Sequence, residues 1–198
     1  MRPLIKVNMR QLPHLYHPMS ALLVVAFGAL YPLVHIANGW LFKFAEITPH
    51  ISLIYLPAFL RLSNVLILGP RNGTLATLLG GVLLMRTFED NSVAGMLNVA
   101  CSALGPVVAL VVFKTYTRRK FDLTSLKDLG ALTVIYAIAN AVLHHLVWSV
   151  VDKSQLAAPA QVLWMVLGDI FGALIGAYAL KWIVSKYRSH QVSNDLIN

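Results

Sequence analysis

This chain is a succession of apolar stretches near membrane-spanning length, separated by short segments that carry nearly all of its charge. A helix rising 1.5 Å per residue needs about 20 apolar residues to cross a hydrocarbon core about 30 Å thick. Six stretches reach or approach that length: Met19 to Phe42, Ile51 to Leu68, Gly73 to Met85, Ser92 to Phe113, Leu129 to Val151 and Ala158 to Val184. The third follows the break Gly69, Pro70, Arg71, Asn72 and is short, so it has to tilt, recruit its flanks or thin the bilayer. Composition agrees: 58% of residues are hydrophobic, 12% are charged and the mean hydropathy is +0.69. Soluble domains are nearer half apolar and a quarter charged, so a water-soluble core does not account for this much apolar surface. The expected fold is all-α, a polytopic membrane protein of about six transmembrane helices.

Orientation follows from Lys and Arg in alternate loops, a count independent of the hydropathy that defines the spans. One side receives twelve, namely Arg2, Lys6, Arg10, Arg71, Lys114, Arg118, Arg119, Lys120, Lys127, Lys181, Lys186 and Arg188; the other receives three, Lys43, Arg86 and Lys153. The expectation is N-in and C-in topology in the bacterial cytoplasmic (inner) membrane, with lipid as the first partner. The formal net charge of +8 is then a topological signal, and nucleic acid is not an expected partner, since the basic residues form no single solvent-facing patch. The apolar run from Met19 is too long for a signal-peptide core and lacks a small-x-small cleavage site, so it is expected to stay as the first span. Three parts are expected: a basic N-terminal segment (1–18), one transmembrane bundle (19–188) and a polar tail (189–198). No segment between spans is long enough for a second domain.

Ionisable and amide side chains at membrane depth cost about 2.5–3.5 kcal/mol on insertion scales when charged, and each is a functional candidate. Arg61 and Asp169 both fall about 15–17 Å from the outer ends of their spans, near mid-membrane. Asn140 has a similar depth, and His35, Asn98 and His144 lie nearer the outer surface. Tyr136, Asn140, His144 and Trp148 recur every four residues and so share one helix face; Pro57, Arg61, Asn64 and Leu68 form a similar stripe. The candidate ligand-binding set is therefore His35, Arg61, Asn64, Asn98, Asn140, His144 and Asp169, a polar pocket in the outer half of the bundle floored by Arg61 and Asp169. The structural alternative is an Arg61–Asp169 ion pair with the amides and histidines bridging helices. His144 and His145 point about 100° apart on a helix and do not converge on a metal. No metal site or cofactor is expected.

Small residues set a second pattern. Gly168, Gly172 and Gly176 stand four apart in the last span, and Gly73, Thr77 and Gly81 repeat the spacing in the third, the geometry for close helix–helix packing in lipid. Cys101, the only cysteine, excludes an intrachain disulfide and reads as a small packing residue. Asn72-Gly73-Thr74 is a formal glycosylation sequon placed by topology in the cytoplasm. Phosphate-binding, dinucleotide, zinc-protease and nucleophile-elbow signatures are missing, so an enzyme is not expected.

Trp164, Leu167, Gly168, Asp169, Ile170, Phe171 and Gly172 resemble the last-helix motif of the membrane-associated sensor domain of the first type (MASE family), a Trp followed by Leu-Gly-Asp-x-x-Gly. Leu68, Gly69, Pro70 and Arg71 resemble that family's Leu-Gly-Arg-Arg turn, and the resemblance spans about residues 56 to 185. It departs at Leu56, Pro57, Ala58, where the family has a Trp-Pro-Pro-like motif, and typical members carry about eight helices fused to an output domain. The resemblance implies a freestanding sensory module that binds a small ligand or reads a membrane condition and acts through a separate membrane or cytoplasmic partner. Six short helices with both ends inside also resemble the substrate-binding S components of vitamin transporters, in which Ala26, Gly28 and Ala29 would dock the transport subunit. A third expectation is a scaffold subunit whose polar residues are purely structural.

Overall fold

The computed structural model describes residues 16–48, 51–87, 92–118, 121–122, 125–151 and 160–195. The expected basic N-terminal segment lies outside them through residue 15, as do Arg119, Lys120, Lys153 and the tail beyond residue 195. Among the described residues five α-helices form: α1 (Tyr16–Leu41), α2 (Pro57–Thr87), α3 (Val93–Thr117), α4 (Leu126–Val151) and α5 (Ala160–Asp195). A short antiparallel pair, β1 (Glu46–Thr48) and β2 (Ile51–Ser52), fills the connection between α1 and α2. α2 packs against α1, α3 and α5, and α4 against α3 and α5.

Four of the helices carry segments long and apolar enough to cross a membrane: Pro18–Leu41, Val93–Thr117, Leu126–Val151 and Ala160–Ile183. Polarity is distributed for lipid rather than water. Leu22, Leu33, Leu146 and Leu163 are each more than half exposed, whereas Asn64, Asn140 and Asp169 are at most 1% exposed. That pattern satisfies buried polar groups inside the protein and leaves aliphatic surface to lipid. α5 has 36 residues and is about 54 Å long, so it outruns a bilayer core. The expected polar tail from residue 189 is helical as far as Asp195, in a segment without glycine or proline to stop it.

The expected second and third spans take a different form. Ile51 and Ser52 are strand, residues 53–56 are a bend, irregular backbone and a turn, and helix begins only at Pro57. The first arm of α2, Pro57 to Leu68, is therefore about 18 Å long, short of a full crossing. Gly69, at φ 81 and ψ 165, breaks the helix. In a straight helix Asn64 and Thr77 would stand about 20 Å apart. Instead Asn64 Nδ2 donates to Thr77 Oγ1 at 3.1 Å, so the second arm folds back on the first. Gly73 permits this, since a Cβ there would strike the backbone of Asn64 and Val65. The described residues thus hold four long apolar helices and a broken helical hairpin, in place of six uniform spans. The departure arises because Gly69–Pro70 ends the helix, while the strand pairing of residues 46–52 uses up chain that hydropathy alone assigned to a span.

Gly69 sits in a backbone region almost reserved for glycine, and a Cβ there would meet nothing within 4 Å. Gly69→Ala is accordingly expected to cost about 1–3 kcal/mol through backbone strain alone, read as a lower thermal midpoint of the purified protein.

The apolar core joins Ala58 and Leu62 of α2, Ala109 and Phe113 of α3, and Leu132 and Tyr136 of α4. It occupies the end of the bundle where α3 passes into α4. The opposite end, under the β1–β2 connection, is open and polar.

Candidate functional site

A cavity of about 530 Å³ opens at that end. All five helices contribute to it: Tyr31, His35 and Asn38 from α1, Arg61 and Met85 from α2, Asn98 and Ser102 from α3, His144 and Trp148 from α4, and Met165 and Asp169 from α5. Lys43 and Glu46 stand exposed at its rim. Small-molecule sites commonly fall between about 300 and 1,000 Å³ and combine apolar walls with a few converging polar groups.

The deepest cluster surrounds Arg61, which is 4% exposed. Its Nε and Nη2 donate to the Tyr31 hydroxyl at 2.9 and 2.6 Å, and Nη2 donates also to the Tyr55 hydroxyl at 3.0 Å. The guanidinium lies 5.5 and 5.1 Å from the two ring centroids, within cation–π range. His35 Nδ1 is 3.2 Å from the Tyr55 hydroxyl and extends the cluster toward the rim. Tyr31, His35 and Asn38 fall at i, i+4 and i+7 and so share the inner face of α1.

Asp169 faces the cavity from α5 and accepts a hydrogen bond from Asn140 Nδ2 at 2.7 Å. Arg61 and Asp169 therefore make no direct ion pair: hydroxyls hold one and an amide holds the other. On the α3–α4 wall, Trp148 Nε1 donates to Asn98 Oδ1 at 2.8 Å. His144 Nδ1 lies 2.9 Å from the Asn140 carbonyl, which can only accept, so Nδ1 carries the proton. The Ser102 hydroxyl sits 3.4 Å from its Nε2.

The small residues of α5 have an unexpected partner. A Cβ on Gly168 would strike the Ser52 carbonyl, one on Gly172 the Tyr55 carbonyl, and one on Gly176 the Phe59 ring. Two of the three glycines thus admit the non-helical backbone of residues 52–56, Ser52 at the end of β2 and Tyr55 beyond it, rather than a helix. Tyr55 N donates to Gly168 O at 3.1 Å, and Leu56 N donates to Asn38 Oδ1 at 2.8 Å. Non-helical backbone among apolar helices has to find its hydrogen bonds on neighbouring elements, and these bonds satisfy the Tyr55 and Leu56 amides. They also suspend Tyr55 over Arg61. Gly81, by contrast, packs against Val99 of α3 as a helix contact.

Of the seven residues expected to form the pocket, His35, Arg61, Asn98, His144 and Asp169 line it. Asn140 stands behind the lining and holds Asp169. Asn64 is elsewhere, bonded to Thr77 between the two arms of α2. Tyr31, Asn38, Tyr55 and Ser102 were not anticipated. The four-residue spacing of Tyr31 and His35 was a legible signal for the first; nothing in the linear pattern marks Tyr55, whose position depends on the non-helical segment. No family model, curated protein or solved structure matches this chain. The resemblance to the sensor domain therefore rests on its short motifs, and the site on its own geometry.

Proposed function

We propose that this protein is a sensor-like membrane module that binds a small ligand in the cavity beneath the β1–β2 connection and acts through a separate partner. The observation that carries the reading is the cavity itself, into which a buried arginine and a buried aspartate from different helices both face. A purely structural pair has no need of a water-accessible chamber of about 530 Å³ around it. Ligand binding there would bear on α1, α2 and α5 together, and α5 continues to Asp195, which supplies a rigid route out of the membrane. The solute-binding subunit reading uses the same cavity. Its proposed docking surface is reduced, because Gly28 is buried against Leu79 and Ala76 of α2.

Purified protein in lipid nanodiscs is expected to show a thermal shift with some member of a metabolite library, and Asp169→Asn is expected to remove that shift while preserving the fold. No shift with any compound, together with simple destabilisation by the substitution, would leave a structural scaffold as the better reading. Recovery of a kinase, cyclase or response regulator on co-purification supports signalling; recovery of an ATPase pair supports transport.

The proposed placement is a bacterial inner membrane with both termini cytoplasmic and the cavity facing outward. α2 leaves and returns to the same side whether or not its hairpin fully crosses, so the parity of the other four helices is unaffected. In a Cys101→Ser background, Lys43→Cys is expected to react with an impermeant maleimide on intact cells and Lys127→Cys only after permeabilisation. The reverse pattern would invert the topology.

A further inference from the structure

The cavity holds opposite charges that the protein keeps apart. Arg61 is held by two tyrosine hydroxyls and Asp169 by the Asn140 amide, although both face one chamber. In a low-dielectric interior, direct contact between such groups is worth far more than at a surface. Among the described residues five buried side-chain atoms have no hydrogen-bond partner, and two of them, Nη1 of Arg61 and Oδ1 of Asn140, belong to this charged cluster. Unmatched buried polar groups are rare in folded proteins and call for an explanation. The charge of the lining adds a constraint, because Lys43 and Arg61 balance Glu46 and Asp169. Such a lining produces no net field that would select a ligand of a single sign.

We propose that the cavity takes a zwitterionic small molecule, with its anionic group against the Arg61–tyrosine cluster, its cationic group on Asp169 and its apolar body between the side chains of Met165 and Trp148. This rests on the reading of the cavity as a ligand site. A ligand that is only anionic leaves Asp169 uncompensated, and one that is only cationic leaves Arg61 so. One carrying both charges satisfies both while they remain separated, and each charge-assisted hydrogen bond is about twice as strong as a neutral one.

The test uses three probes of common body, L-phenylalanine, phenethylamine and 3-phenylpropionate, titrated against the full chain in nanodiscs by thermal shift, alongside a broad metabolite set. L-phenylalanine, or another zwitterion from the set, is expected to bind at least about tenfold more tightly than its singly charged counterparts. Asp169→Asn is expected to erase the advantage of the zwitterion over its carboxylate-only counterpart. Equal binding of 3-phenylpropionate or phenethylamine, or binding confined to compounds that are not zwitterions, overturns the proposal while leaving the ligand site intact. Absence of binding by every compound overturns the ligand site as well. Should the substituted protein fail to fold, the probe comparison on the unaltered chain decides alone.

Discussion

Gly172→Ala is expected to destabilise the protein by about 3 kcal/mol or more, enough to deplete the folded fraction during purification. The added methyl has no space, because its nearest neighbours would be the carbonyl of Tyr55 and the amide nitrogen of Leu56. Overpacking against a flexible side chain is relieved by a rotamer change, but backbone gives way only by moving the whole segment. That movement would stretch the Tyr55 N to Gly168 O and Leu56 N to Asn38 Oδ1 bonds, and non-helical backbone without partners at membrane depth costs several kcal/mol per group. Gly130→Ala is the control, since a Cβ there meets nothing within 4 Å. It is expected to be neutral or to stabilise by up to about 1 kcal/mol through helix propensity. Detergent-unfolding midpoints of the two variants measure the difference. Similar effects at both positions would mean that the Tyr55–Leu56 segment does not lie on the glycine face of α5.

The double substitution Tyr31→Phe with Tyr55→Phe is expected to damage the fold more than Arg61→Met. The tyrosine pair accepts the hydrogen bonds that Nε and Nη2 of Arg61 donate, so its loss leaves those donors of a buried charge without partners. Stranding a buried charge in this way costs about 3–5 kcal/mol. Arg61→Met removes the charge while keeping much of the volume, and strands only neutral hydroxyls at about 1–3 kcal/mol each. Unfolding midpoints in nanodiscs or mild detergent give the order directly. If Arg61→Met proves the more damaging, contact energy rather than charge burial governs the cluster.

Both predictions turn on a segment that linear reading misassigned. Residues 51 to 56 are apolar enough to pass for the start of a span, yet they run as a short strand and irregular, non-helical chain between α1 and α5. Hydropathy measures transfer to an apolar environment and does not register whether the backbone finds its hydrogen bonds within its own helix or on a neighbour. The same limit explains Asn64. Its stripe with Arg61 is real, but a stripe covers an arc wide enough for the two side chains to meet different partners, the second arm of α2 for one and the cavity for the other. The α4 stripe proved simpler, since Tyr136, Asn140, His144 and Trp148 are all at most 4% exposed.

What the residues alone determined was the helical class, the presence of helices apolar enough to cross a membrane and which polar residues fall within the helical stretches. These follow from transfer energies and helical rise, which are local properties of the chain. Only the tertiary structure decided that Gly69 turns α2 back on itself, that Gly168 and Gly172 receive the non-helical backbone of residues 52–56, and that Arg61 and Asp169 face one cavity without touching. Each of those depends on which segments become neighbours. Long-range packing and hydrogen-bond satisfaction settle that together, and no periodicity within one segment encodes it.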